Sequence, residues 1–378
     1  ARAVGPTPNV DLPVTYPHLA RDVRPGARIL IDDGRIELLA MRVDNGTIDC
    51  RVKRGGPVSA HKGINVPGTT ISAPTLTDKD RADIRFGVAH HVDYIALSFV
   101  RGPEDVQAAR QYIQECGGDQ PLIAKVERAE AIDGLATILD VSDGVMIARG
   151  DLGVEMGPEA VPLLQKRIIA EGHGCGRVII TATQMLESMI TESVPTRAEA
   201  SDVANAIFDG TDGVMLSGET ASGQYPIEAV RVMDRIIRAA EAEPRYRMAI
   251  GAPPRDMSIP AAICTAAASA SAAVNASVLA VLSESGTTAR LVSKQRPEAP
   301  IVAFTPHPLV RRRMALLWGV EPRLMASIDN ADAQVVEVEQ CLKQDKLLQA
   351  GSRLVLLSGT AAGHPGGTNV MKIHEVQA

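Results

Sequence analysis

Residues 121–150 read PLIAKVERAEAIDGLATILDVSDGVMIARG, and they hold one complete strand–helix–strand unit. Pro121–Glu127 and Gly144–Gly150 are near-continuous apolar runs. The segment between them, from Ala129 to Leu139, has helical spacing. Strands without apolar–polar alternation are covered on both faces, as in a parallel sheet. The same unit recurs outward in both directions. TDKDRADIRFGVAHH is a helix with Thr77 as N-cap and Asp80 at the third position. Val92–Val100 is a strand, and Gly102–Cys116 a helix. Downstream come the helix Pro158–Gly172, the strand Arg177–Met185 and a helix opened by a Thr196/Glu199 capping box. The strand Gly213–Glu219 and the helix Pro226–Ala242 complete the run. Such alternation builds a βα barrel or a doubly wound sheet. It supplies five strands, whereas a closed barrel takes eight.

The flanks differ. In GARILIDDGRIELLAMRVDNGTIDCRVKRGG, Asp33-Gly34 and Asn45-Gly46 read as hairpin turns. This predicts a small β domain over residues 1–70, followed by the alternating domain over 71–243. PRYRMAIGAPPRDM reads as a linker into a second α/β domain, residues 244–378. There a helix from Ser258 precedes the strand SVLAVLSES, the helix GTTARLVSKQ and the strand APIVAFT. Two further helix–strand segments end in SRLVLLSG and NVMKIHEV.

The 378-residue chain is 45% hydrophobic and 22% charged, with a net charge of −6. That balance argues against nucleic acid as the main partner. No apolar run approaches the ~20 residues of a membrane span. The five cysteines lie far apart without CxxC pairing, which fits reduced thiols in the cytoplasm. The chain begins ARAVGPTPNV, with neither Met nor a signal pattern, and reads as a fragment.

In barrels of this kind the chemistry collects at the C-terminal ends of the strands. The first such end offers Ser98-Phe99 and the last Ser217 and Glu219. Lys125 and Glu127, two apart, project to one face; a strand-end salt bridge is the alternative reading. Asp151 stands at the equivalent place on the next strand. Two such carboxylates suit Mg²⁺ or Mn²⁺, which completes its shell with water and substrate oxygens. A lysine beside them stabilises a developing anion, enolate or phosphoryl. Gly150 lets a ligand approach the backbone amides of Gly150 and Asp151; it is otherwise a loop glycine. Thr183 is either a partner of that anion or a backbone cap. Arg149 reads as a structural pairing, the segment RRRM (Arg311–Met314) as a solvated helix face, and Trp318 as packing.

The segments LIAKVE, SDGVMIARGDLGVE, IITATQMLESMI, PTRAEASDVANAIFDGTDGVMLSGETASGQYPIEAV and KGINVPG closely resemble the pyruvate kinase family in order and spacing. The resemblance implies a (β/α)8 TIM barrel with an inserted small β domain and a C-terminal α/β regulatory domain. It implies phosphoryl transfer from phosphoenolpyruvate to ADP, giving pyruvate and ATP in glycolysis. Lys125 and Thr183 would be catalytic. Lys125, Gly150, Asp151 and Thr183 would bind substrate, and Glu127 and Asp151 the divalent ion. Counterparts of the first three barrel strands are missing, together with most K⁺ ligands. The chain therefore reads as a partial barrel, strands four to eight, from an N-terminally truncated enzyme. The resemblance also implies a cytoplasmic homotetramer, and a sugar-phosphate or nucleotide effector at Ser283, Ser285, Gly286, Thr287 and Thr288. Glu284 and Thr287 there weaken the match to a bisphosphorylated sugar. Two alternatives stay open: an inactive truncated protein that binds effector or subunits, and another metal-enolate barrel enzyme such as an aldolase or mutase.

Overall fold

The computed structural model describes residues 2–3, 12–60, 62–72, 74–243, 258–328, 330–359 and 367–377. The expected linker at 244–257 lies outside them, and so do residues 360–366, His364 included, of the glycine-rich segment GTAAGHPGGTNV (359–370), which reads as a loop able to close over an effector. The first sheet joins β1 (Arg2–Ala3), β2 (Arg28–Ile31), β3 (Ile36–Asp44), β4 (Thr47–Arg54) and β5 (Ile64–Asn65) in the order β1-β4-β3-β2-β5. Asn45 (φ 44°) and Gly46 (φ 79°) are both left-handed, as a two-residue hairpin requires. Ile29, Ile31, Ile36, Leu38 and Ile48 fill its core.

The second sheet is wholly parallel. It comprises β6 (Ile95–Leu97), β7 (Leu122–Val126), β8 (Gly144–Ala148), β9 (Val178–Ala182) and β10 (Gly213–Met215), in the order β10-β9-β8-β7-β6. Both expected caps form: Thr77 and Asp80 exchange bonds with each other's amides, as do Thr196 and Glu199. Gly144 allows close strand packing. A Cβ there would lie 2.6 Å from Ile123 Cδ1 and 2.7 Å from the Val178 carbonyl oxygen. Two expectations need correction. The helix after β7 divides at Gly134 into Ala129–Asp133 and Leu135–Val141. The strand expected to reach Gly150 stops at Ala148, and Arg149–Met156 is already helix.

The third sheet runs β13-β12-β11-β14-β15, with β11 Val278–Leu282, β12 Ile301–Thr305, β13 Val320–Leu324, β14 Arg353–Gly359 and β15 Thr368–Glu375. Its central strands are covered on both sides. Leu279, Val281, Ile301 and Ala303 enter one apolar cluster; Val278, Ala280, Val302 and Phe304 enter the other. The strand β13 escaped the sequence reading because Pro322 interrupts it; a proline is tolerated at an edge. The strand β15 follows β14 as an antiparallel hairpin partner, so no helix separates them among the described residues. No described helix is long and apolar enough to cross a membrane.

Charged side chains dock the third sheet's domain on the second's. The Asp212 carboxylate receives Arg296 Nη2 at 2.8 Å, Lys294 Nζ, and the Ile179 amide at 2.8 Å. None of these three side chains is more than 3% exposed. Burial opposes ionisation of Asp212, but the Lys294 and Arg296 charges hold its carboxyl below the ordinary range. The Arg296 guanidinium stacks over Trp318, 4.5 Å from the ring centroid, and Trp318 Nε1 donates to Glu241 at 2.7 Å. The helix Pro308–Met314 is a docking element, contrary to its reading as a solvated face. Arg312 bonds Asp93 at 2.9 Å, Arg313 bonds Asp119 at 2.7 Å, and Tyr94 donates to the Arg313 carbonyl.

His173 lies against this cluster, pushed down to about 4 by burial and by the Lys294 and Arg296 charges. Its folded pKa lies below the ordinary 6.5, so the unfolded chain binds the proton first as pH falls. Stability is full above pH 6.5 and is lost towards pH 4, by up to about 3 kcal/mol. In thermal melts between pH 7 and 4.5, His173→Gln is expected to flatten that part of the decline. An unchanged slope would place the acid sensitivity elsewhere.

Candidate active site

The ends of β7, β8 and β9 meet because their register is fixed. Val126 pairs with Ile147 and Ile147 with Thr181; Ala148 pairs with Ala182. Glu127, one residue beyond Val126, is therefore level with Ala148 and Ala182. Asp151 and Thr183 follow just past that level.

Lys125 Nζ lies 2.5 Å from Glu127 Oε1 and donates to Ser98 Oγ at 2.9 Å. The strand-end salt bridge is thus present in this structure. Glu127 is 1% exposed. Its Oε2 accepts the Phe99 amide at 2.9 Å, while Oε1 has no hydrogen bond of good geometry. Phe99 adopts φ 56°, a left-handed turn that ends the β6 segment. Asp151 stands in the first turn of Arg149–Met156. Burial pushes its carboxyl up, the Glu127 charge adds to this, and Lys125 opposes it. Asp151 thus senses both the Glu127 carboxylate and the Lys125 ammonium. No group of three or more His, Cys, Asp or Glu side chains able to hold a metal exists among the described residues. A divalent ion here would need substrate or water oxygens to complete its shell, which is the habit of Mg²⁺.

Gly150 and Thr183 also come together. The Gly150 amide donates to Thr183 Oγ1 at 2.8 Å, and that hydroxyl donates to the Ala182 carbonyl at 2.7 Å. The Gly150 amide, expected to await a ligand, is therefore engaged. Arg149 is the pairing its reading anticipated. It bonds Asp202 at 2.7 Å and the Thr183 carbonyl at 2.9 Å.

Supporting residues complete the site; Glu219 is named from its strand end without a role, and Arg128 is not anticipated. Glu219, fully buried, accepts the Leu186 amide at 3.0 Å and the Ser217 amide at 2.8 Å. Arg128 joins Glu155 at 3.0 Å and donates to the Thr69 carbonyl, tying the segment after β5 to the helix bearing Asp151. The Asp33-Gly34 turn and Arg54 of the small β domain face Gly150, Gly153 and Glu155 across a cleft of about 580 Å³. A charged residue just beyond a strand end is the signal that marks Arg128 and Glu219 alike.

The second expected site lies after β11. Ser283, Ser285 and Thr288 line a small cavity of about 70 Å³ with Glu284, Thr305 and Ser358. Gly286 and Thr287 do not face it. The Gly286 amide donates to Ser283 Oγ, and Thr287 pairs with the Ser285 hydroxyl. Gly286 is left-handed (φ 83°), and a Cβ there would come within 3.1 Å of Met314 Cγ. Glu284 bonds His307 at 2.8 Å and Ser327 at 3.0 Å, which places a carboxylate at the cavity wall.

Residues 5–230 match the family profile described as Pyruvate kinase, barrel domain, and residues 261–374 the one described as Pyruvate kinase, alpha/beta domain. Pyruvate kinase 2 of Synechocystis is 44% identical over 367 residues, covering 97% of this chain and 62% of that protein. Pyruvate kinase of Clostridium perfringens is 41% identical over 97% of this chain and 79% of its own length. The crystal structure of a pyruvate kinase from Cryptosporidium parvum superposes with a TM-score of 0.88 at 37% identity. It covers 96% of this chain and 75% of that one. The chain thus spans between three fifths and four fifths of these relatives.

Two substitutions separate packing from ligand roles at this site. A Cβ on Gly150 would lie 3.6 Å from Thr183 Oγ1, ordinary contact distance, and its φ is not left-handed. Gly150→Ala is therefore expected to melt at or slightly above the parent temperature, since alanine favours helix by up to ~1 kcal/mol. Glu219→Ala orphans two amides and is expected to lose about 1–3 kcal/mol for each. Urea titration of both variants checks the contrast.

Proposed function

The chain belongs to the pyruvate kinase family, with an α/β barrel domain followed by an α/β domain. From that premise we propose that it transfers a phosphoryl group from phosphoenolpyruvate to ADP, giving pyruvate and ATP in glycolysis. The observation that carries this reading is Lys125 set between Ser98 and Glu127, with Asp151 beside them at one sheet edge.

In this proposal Lys125 faces the transferring phosphoryl group and the enolate oxygen. The P–O bond to the enol oxygen breaks, and a β-phosphate oxygen of ADP forms the new bond. The enolate then takes a proton at carbon and becomes pyruvate, which makes the transfer strongly downhill. Positioning and charge stabilisation are what the protein contributes. The amides of Gly150 and Asp151, with Thr183, hold the substrate carboxylate. Binding exchanges the Gly150–Thr183 hydrogen bond for bonds to that carboxylate. Thr183 stands on the side where the enolate is protonated, directly or through water.

Glu127 and Asp151 are the residues to hold Mg²⁺ or Mn²⁺. The fit rests on a buried Glu127 beside a half-buried Asp151 whose carboxyl is pushed up by burial and by the Glu127 charge, with Lys125 against the Glu127 oxygen Oε1. When bound, the ion supplies positive charge against the phosphoryl and enolate oxygens. K⁺ dependence, a homotetramer, a cytoplasmic setting and an effector at the Ser283–Thr288 loop belong to the same proposal. So does the division into residues 1–70, 71–243 and 244–378. The five parallel strands β6 to β10 correspond in this reading to strands four to eight of an eight-stranded barrel. That assignment rests on the strand count and on helix–strand alternation.

The test is ATP formation from phosphoenolpyruvate and ADP with Mg²⁺, on this chain and on one extended upstream. Turnover in the extended chain is expected, and its absence would remove the kinase reading. Lys125→Met is expected to lower kcat by at least about 10²–10³. Glu127→Gln and Asp151→Asn should weaken Mn²⁺ binding by more than the roughly 10–100-fold that losing an outer partner costs.

A further inference from the structure

Thr183 and Gln184 both adopt left-handed backbone, at φ 69° and 54°. Two such residues in a row, one of them β-branched, are a backbone outlier. Conformations of this kind persist only where the surroundings over-determine them. What surrounds this turn is largely one side chain. Arg149 Nη2 donates to the Thr183 carbonyl at 2.9 Å and reaches that of Gln184 at 3.5 Å. Its Nε donates to the Ala182 carbonyl at 3.3 Å. Its Nη1 is anchored by Asp202 at 2.7 Å and by Gln165 at 3.3 Å. Gln165 is itself oriented, because its Nε2 donates to Asp209. The guanidinium end is buried, at 9% side-chain exposure. From the far side, Glu219 accepts the Leu186 amide and closes the turn.

We infer that Arg149 is a positioning residue: its guanidinium holds the left-handed Thr183–Gln184 turn, and so fixes where the Thr183 hydroxyl stands beside Gly150. The inference deepens the functional reading and rests on it only for the role of Thr183. Arg149 touches no reacting atom in that reading. It acts because three consecutive carbonyls converge on one planar, permanently charged fork, with Asp202 fixing its orientation. A lysine offers a point charge on a flexible stem and does not reproduce that fork. Asp202 lies in the helix Arg197–Asp209, so that helix is tied to the turn through the same guanidinium.

The experiment pairs hydrogen–deuterium exchange of the 183–187 amides with ATP formation, in the chain extended upstream and in its Arg149→Lys and Arg149→Met variants. Both variants are expected to speed exchange of that segment by at least about tenfold, while exchange in β7 and β11 stays at the parent rate. Turnover should fall through kcat by about 100-fold, with the KM for ADP changed less than about threefold. A second substitution, Gln184→Gly, supplies a residue at ease in left-handed backbone. Added to Arg149→Lys, it should recover at least about tenfold of the lost turnover. Unchanged exchange in Arg149→Met overturns the inference, as does an Arg149→Lys variant with parental kcat. If Arg149→Met does not fold, Asp202→Asn loosens the fork without removing it. Exchange of the same segment should then rise about threefold or more, and an unchanged rate overturns the inference too. Should the chain extended upstream form no ATP, the kinase reading is at fault, and exchange alone still decides the role of Arg149.

Discussion

Parallel pairing of β7, β8 and β9 is the constraint from which the site follows. Three strands running the same way bring their C-terminal ends to one edge, whatever the length of chain between them. Lys125 pairs with Met146 and Ile147 with Thr181, so residues far apart in sequence finish level. Nothing in the side chains of Glu127, Asp151 or Thr183 draws them together; two of the three repel. They are held by strands whose apolar residues are almost wholly buried, Leu122, Val126, Val145 and Ile147 among them. The hydrophobic cost of separating those strands exceeds the charge repulsion at their tips.

The same reasoning separates the two kinds of buried charge in the molecule. At the sheet edge the carboxylates outnumber the cations: Glu127 and Asp151 share Lys125, and burial pushes the Asp151 carboxyl up. At the domain junction the excess is reversed, with Lys294 and Arg296 on the single carboxylate of Asp212. Burial pushes the Lys294 amine down to about 8 there. The first arrangement adjoins Gly150, Gly153 and Glu155, which line the cleft facing the small β domain. The second is closed by the Trp318 ring and backbone groups, and leaves no room for a ligand. An imbalance of charge marks a functional site only when space accompanies it.

What could be read from the chain alone divides along the reach of the interactions. The capping boxes at Thr77 and Thr196 are local, and so are the five apolar strands; both were legible. The hairpin turn at Asn45-Gly46 announced itself because few residues accept left-handed backbone. The docking role of Arg312 and Arg313 was invisible, since their partners Asp93 and Asp119 lie some two hundred positions away. The engaged state of the Gly150 amide depends on a Thr183 backbone that no local rule favours. The strand β13 was lost for the opposite reason: Pro322 is a strong local signal against strand, overridden by its place at a sheet edge.

The Arg149-Gly150-Asp151 sequence owes its layout to helix geometry. Successive residues in a helix turn by about 100°, so side chains two apart point roughly 200° from each other. A helix that starts abruptly at the tip of β8 therefore sends Arg149 and Asp151 to opposite sides. Arg149 turns back to the carbonyls of the β9 tip, and Asp151 turns towards Glu127 and Lys125. Gly150 between them shows only its amide to Thr183. Had the strand run on to Gly150, the alternation of a strand would have put Arg149 and Asp151 on the same face. One guanidinium would then sit beside the Asp151 carboxylate and neutralise it. The early helix start, which the apolar pattern did not reveal, is what keeps the two charges apart.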